Sequence, residues 1–168
     1  LTDLLDGSQF DAVLLTHYHI DHVQGLFTIR WGYAEAPIPI YGPDYPEGCA
    51  DLLSHPGICD FRTTLKPFSS IDITPLTITP LPLNHSKPSL GYAIETAGFR
   101  LAWLCDTAGI PETTRNFLHD WQPTITVLDC TFPPRDTAHH NHNDILRAIE
   151  IHDQIEGKSC YLTHIGHE

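Results

Sequence analysis

Five short apolar runs in this 168-residue chain carry a histidine or an aspartate at or near their C-terminal ends: DAVLLTH to His17, LTITPLPLNH to His85, FRLAWLCD to Asp106, TITVLDC with Asp129, and SCYLTH to His164. Runs of this length, rich in Val, Ile, Leu and Thr and bounded by turn residues, predict buried β-strands. Strands that finish in His and Asp predict a sheet with one chemically loaded edge. PIPIYG and GYAIET predict two further strands, the prolines of the first pushing it towards an edge position. Asn143 or Asp144 can cap a helix over DILRAIEIHDQI, with Ile145, Ile149 and Ile155, and Leu146 and Ala148 beside them, as its apolar face and Gly157 as its stop. Pro111 suits the first turn of a helix over PETTRNFLHD. The stretches YGPDYPEGCADLLSHPG and DCTFPPRDTAHHNHN read as loops. Strands and helices interleaved in this order predict an α/β layered domain, one unit over residues 1–168.

The densest cluster of potential ligands is LLTHYHIDHVQG, which places His17, His19, Asp21 and His22 within six positions. On an extended strand His17 and His19 share a face while Tyr18 points opposite, with the two imidazoles about 6–7 Å apart. A turn into a helix near Asp21 and His22 aims the second pair from a different backbone angle. HxHxDH therefore predicts a binuclear metal site, which His85, Asp106 and His164 would complete, Asp106 having two oxygens with which to bridge two ions. Two divalent ions about 3.5–4 Å apart activate water and clamp a phosphoryl oxygen, which is hydrolytic chemistry. Imidazole and carboxylate ligands suit zinc, manganese or iron.

Charge narrows the partners. Nine Lys plus Arg against 21 Asp plus Glu give a formal net charge of −12, and scattered basic residues argue against broad nucleic-acid binding. Arg30 in LFTIRWG and Lys87 in NHSK are the candidate phosphate donors. Five cysteines without a CxxC pair fit reduced thiols in a cytoplasmic protein. No run of eighteen apolar residues and no basic, apolar leader is visible, so neither a membrane span nor a secretory signal is expected. The chain contains no methionine and begins at Leu1, from which we expect an internal segment of a longer protein. Trp31 and Trp103 are expected in the core, and His55, His119 and His152 at the surface.

HxHxDH followed by a later His, a bridging Asp and a final His resembles the metallo-β-lactamase superfamily of hydrolases. Within it, THYHIDHVQGLFTIRWG, PLPLNHSK, AWLCDTAGIPE, LDCTFPPR, NHND and LTHIGH are similar to the PhnP family, the phosphoribosyl 1,2-cyclic phosphate phosphodiesterases of the carbon–phosphorus lyase pathway in phosphonate catabolism. The resemblance covers nearly the whole chain. It implies an αββα sandwich, here lacking its N-terminal strands, and two manganese ions: one held by His17, His19, His85 and Asp106, the other by Asp21, His22, Asp106 and His164. It places His142 at the substrate as a general acid or leaving-group partner, and we expect Asp21 in addition to orient the attacking hydroxide. The implied substrate is a small phosphorylated cyclic sugar, and a homodimer is suggested. The family also holds a structural zinc with a cysteine cluster and the last histidine of THIxH; His167 matches that histidine, but the cluster has no counterpart here. Asp129 is expected to orient a ligand or the loop bearing His142.

Other readings of the same residues are a tRNA 3′-end endonuclease, which would need a basic arm for RNA; a glyoxalase-like thioesterase, which would need an extra helical domain; a diiron oxidoreductase, which would carry Glu in place of His19; and a non-catalytic metal-binding module.

Overall fold

The computed structural model describes residues 10–45 and 47–166. Two compact units divide it, one ending at Lys66 and the other beginning at Pro67.

The first unit is a three-stranded parallel sheet in the order β1 (Val13–Leu14), β2 (Ile38–Pro43), β3 (Cys59–Leu65). Parallel neighbours cannot be joined by a tight turn, and the helices α1 (Ile20–Ile29) and α2 (Ala50–Ser54) make the two crossovers. Leu15, Tyr18, Val23, Leu26, Ile38, Ile40 and Leu52 form its core. Three expectations change here. The first strand stops at Leu14, so His17 and His19 lie on irregular backbone beyond it. PIPIYG is the central strand instead of an edge; its pairing with β3 shifts between Pro39 and Tyr41, and that irregularity accommodates the proline that cannot donate to the ladder. The expected loop contains α2, whose Leu52 is fully buried.

The second unit is a six-stranded sheet in strict sequence order: β4 (Ile71–Ile73), β5 (Leu76–Pro82), β6 (Leu90–Thr96), β7 (Phe99–Leu104), β8 (Ile125–Asp129) and β9 (Cys160–Thr163). β4 to β7 are antiparallel neighbours, while β7, β8 and β9 are parallel and are linked by α3 (Glu112–Trp121) and α4 (Ile145–Ile155). Two antiparallel steps give β5 the same direction as β7. The C-terminal ends of β5, β7, β8 and β9 therefore open on one edge, which is where His85, Asp106, Asp129 and His164 follow or finish their strands.

Leu81, Leu104, Leu118, Leu128, Ala148, Ile151 and Ile155 pack its core. The buried face of α4 is Ala148, Ile151 and Ile155, at helical spacing; Leu146 and Ile149, expected inside, are 58% and 51% exposed. Asp144 caps α4 by accepting from Arg147 N, and Glu156, with φ 52°, closes it one residue before Gly157. Pro111 stands at the N-cap of α3, just outside the first turn. Trp31 is 69% exposed and Trp103 half-buried on β7, so neither is a core residue. Among the described residues no helix is long and apolar enough to cross a membrane.

Candidate metal centre

In the first unit the chain leaves β1, turns at His17 to His19 and enters α1, for which His19 is the N-cap and Asp21 the acidic residue of the first turn, a favourable place for negative charge. Tyr18 points into the unit's core and packs on Tyr45, so the residues on either side of it point away together. His17 is fully buried. Its Nε2 lies 2.8 Å from Nδ1 of His19, and Thr16 Oγ1 stands 3.0 Å from its Nδ1. The His22 ring lies 4.3 Å from that of His17, centre to centre, and His22 Nε2 is 3.3 Å from Asp21 Oδ2. All four residues of HxHxDH thus gather at one end of the unit, although irregular backbone and not a strand brings His17 and His19 together.

In the second unit the sheet edge collects the remaining candidates. His85 Nε2 is 3.9 Å from Asp106 Oδ2, and His164 Nε2 is 3.3 Å from Asp106 Oδ1. The His142 ring stacks on His164 at 4.9 Å and 13° and meets His85 edge-on at 5.4 Å. Asp106, Asp129, His142 and His164 each offer a ligand atom within 4.8 Å of the others. Asp106 and His164 both occupy left-handed backbone, with φ 57° and 58°, conformations that non-glycine residues hold only where the surroundings enforce them, and that cluster at functional sites.

Hydrogen bonds fix the tautomers. His85 Nδ1 donates to the carbonyl of Asn141, 3.1 Å; a carbonyl only accepts, so the proton of neutral His85 sits on Nδ1 and Nε2 carries a lone pair. Thr131 Oγ1 donates to Asp129 Oδ1, 3.3 Å, and so accepts from His164 Nδ1 at 2.9 Å, which again leaves Nε2 as the basic atom. Burial pushes the His85 pKa down, outweighing the upward pull of Asn141 and Asp106, and keeps the ring neutral. Two imidazole lone pairs thus face the two oxygens of one buried carboxylate. Such a set repels itself unless a cation lies among its atoms, and neutral imidazole with carboxylate oxygen is a donor set for divalent ions. The residues present fit a metal.

Asp129, fully buried, accepts from His142 Nδ1 at 2.9 Å and from Asn143 N at 2.9 Å. It orients the loop bearing His142, the role its sequence position suggested. Asn143 adds a brace that sequence reasoning saw only as a candidate cap: its Oδ1 accepts from Gly109 N, 2.7 Å. Thr131 and Asn141 were missed, because nothing in their local sequence signals that they fold back onto His164 and His85, 33 and 56 residues away. Cys105 donates to Asp106 Oδ1, 3.1 Å, and burial together with that carboxylate pushes its thiol far up, which makes it an inert packing group.

Arg30 is engaged elsewhere. Its guanidinium donates to the carbonyls of Asp51 and His55, at 3.3 and 3.1 Å, and to Asp51 Oδ2 at 3.2 Å. Those contacts make it a clamp on the C-terminal end of α2. Lys87 is half-buried in the loop between β5 and β6. His167 lies outside the described residues.

A profile described as a beta-lactamase superfamily domain matches residues 2–165. An octanoyltransferase of Porphyromonas gingivalis is 28% identical over 171 residues, which cover 94% of this chain and 32% of the relative. A ribonuclease Z of Methanopyrus kandleri is 32% identical over 90 residues, covering 51% of this chain and 32% of the relative. The chain spans about a third of the length of these two curated relatives. Among solved structures, a diphosphatase from the PhnP family superposes with a TM-score of 0.77 at 24% identity, over 94% of this chain and 60% of that one; at such identity the likeness is one of fold.

Proposed function

The chain belongs to the beta-lactamase superfamily, and on that premise we propose that it is a two-metal phosphodiesterase that opens 5-phosphoribosyl 1,2-cyclic phosphate to ribosyl 1,5-bisphosphate. The α/β metallo-β-lactamase fold and the His/Asp donor set make it a metal-dependent hydrolase; the cyclic diester is our reading of the site. It is an activity of phosphonate catabolism, acting on a small cytoplasmic sugar phosphate.

In this reading His17, His19, His85 and Asp106 would hold one ion, and Asp21, His22, Asp106 and His164 the other. Manganese is the first choice, with zinc and iron also suited to these ligands. When bound, such a pair supplies water of lowered pKa and neutralises charge on the phosphoryl oxygens. Asp21, 59% exposed beside His22, orients the attacking water. Ring opening breaks the bond from phosphorus to O2 of the ribose and leaves an alkoxide. His142 protonates that oxygen from Nε2, because Nδ1 is committed to Asp129 and the carboxylate stabilises the imidazolium that precedes transfer. Water in, one P–O bond broken and one proton delivered to O2 balance the reaction as a hydrolysis.

The observation that carries the proposal is the Asp129–His142 pair stacked against His164: a proton donor with a fixed tautomer beside metal-ready ligands. Phosphorus NMR of the cyclic substrate with manganese-loaded protein tests it. Appearance of the 1,5-bisphosphate supports it; an intact ring in the presence of bound metal, or cleavage of precursor tRNA in its place, overturns it.

A further inference from the structure

Asn143 stands between His142 and Asp144, the cap of α4, and is 1% exposed. All of its polar groups are engaged. Its N–H donates to Asp129 Oδ1, 2.9 Å, and its Nδ2 to the Asp129 carbonyl, 3.3 Å; its carbonyl accepts from Thr131 N at 3.0 Å and from Phe132 N at 3.2 Å. Held at Oδ1 by Asn143, the Asp129 carboxylate keeps Oδ2 for His142 Nδ1, 2.9 Å. Two adjacent residues thus grip one buried carboxylate.

The side-chain oxygen of Asn143 reaches further. It accepts from Gly109 N, 2.7 Å, in the loop that follows Asp106. The Gly109 carbonyl accepts from Thr107 Oγ1, 2.6 Å, and that hydroxyl accepts from Asn84 N, 3.1 Å, while Ala108 N donates to the Asn84 carbonyl, 2.8 Å. Asn84 precedes His85, and Thr107 follows Asp106. The segments that carry His85, Asp106 and His142 are therefore cross-tied, and the Asn143 amide makes a tie to the last of them. Gly109 is buried, so truncating that amide leaves its N–H without water to replace the lost acceptor. A catalytic group displaced by about 1 Å can cost about 10²-fold in rate.

We infer that Asn143 is a positioning residue for proton transfer: its amide ties the segment bearing His142 to the loop that follows Asp106, and so fixes the imidazole against the departing oxygen. The inference rests on the phosphodiesterase reading, in which His142 is the acid. Its consequence is selective. A leaving group that departs as a stable anion needs no proton, and its release does not depend on Asn143, whereas a merely structural brace would affect all substrates alike.

Two measurements test it. The first compares kcat for 5-phosphoribosyl 1,2-cyclic phosphate, whose leaving oxygen is an alkoxide, with kcat for bis(4-nitrophenyl) phosphate, whose leaving group is a stabilised phenolate, in the manganese-loaded wild type and Asn143→Ala. The ratio of the two does not depend on how much of a variant is folded. Asn143→Ala is expected to lower it about tenfold or more, with KM for the cyclic ester unchanged, and to lower it no further in the His142→Ala background. Asn143→Asp keeps an acceptor for Gly109 N, is expected to lose less, and takes the place of the alanine variant where that does not fold. The second measurement is nitrogen-15 NMR of the histidines in the zinc-loaded protein, the His142 signals being assigned from His142→Ala. The wild type shows the Nδ1–H tautomer alone, and Asn143→Ala a mixture. An unchanged ratio with an unchanged tautomer overturns the inference, as does an equal loss on both esters. If the cyclic ester stays intact in the wild type while the tautomer responds, the phosphodiesterase reading falls and the positioning by Asn143 stands.

Discussion

His164 Nε2 faces Asp106 Oδ1 at 3.3 Å, with its other ring nitrogen engaged by Thr131. Since Thr131 Oγ1 also donates to Asp129, one hydroxyl connects His164 to the residue that holds His142. Thr131→Val removes that hydroxyl at nearly constant volume. Metal affinity, measured by competition with a chelating dye, is expected to fall about 10–100-fold; unchanged affinity would show that His164 is oriented by packing alone.

His142→Ala is expected to lower turnover about 10²–10⁴-fold while leaving metal content unchanged, because on the proposed reading the group donates a proton and ligates nothing. Asp129→Asn should reproduce part of that loss, and the double variant should be no slower than His142→Ala, since the carboxylate acts through the imidazole. Loss of bound metal from the His142 variant would make it a ligand, consistent with its lying within the Asp106, Asp129 and His164 cluster, and would sink the acid assignment.

Arg30→Gln separates a clamp from a substrate contact. The side chain is only 11% exposed, and its guanidinium binds two carbonyls and a carboxylate of one short segment. Its loss is expected to lower stability by about 1–3 kcal/mol in urea melts and to leave KM unchanged. A KM effect without loss of stability would return Arg30 to the substrate.

The Arg62 guanidinium, hydrogen-bonded to Asp60 at 2.7 Å, holds the Asp60 carboxyl down to about 2. Its folded pKa is below its unfolded one, so the pair contributes stability above about pH 4 that is lost as pH falls towards 2. Asp60→Asn should therefore differ from wild type at pH 6 and converge with it near pH 2. The Arg62 side chain is 85% exposed, and a small difference is expected; a gap that widens on acidification contradicts the assignment.

The His- and Asp-bearing ends of β5, β7, β8 and β9 were legible because an apolar run that finishes in His or Asp is a local pattern, and strand direction alone brings those ends to one edge. The local pattern was weaker elsewhere. ADLLS is too short for a helical period to register, and CDFRTTL, with Arg62 to Thr64 exposed, has no apolar run to mark β3. On α4 the buried residue is Ile151 and the exposed one Ile149; both are apolar, so composition could not choose the face, and packing against Leu118 and Leu128 did. The roles of Thr131, Asn141 and Asn143 depend on how the loop from Cys130 to Asp144 folds back, a long-range fact that no window along the chain contains. Arg30 looked available because its partners on α2 lay in a stretch read as loop.

The proposed function requires Asp106 to serve as a ligand to both ions. Metal content of the manganese-loaded protein, measured by elemental mass spectrometry with Asp106→Ala alongside, tests it most directly. About two ions per chain are expected in the wild type and loss of both in the variant, because on the proposed reading the Asp106 carboxylate would serve each ion. One ion in the wild type, or two retained without Asp106, would contradict it.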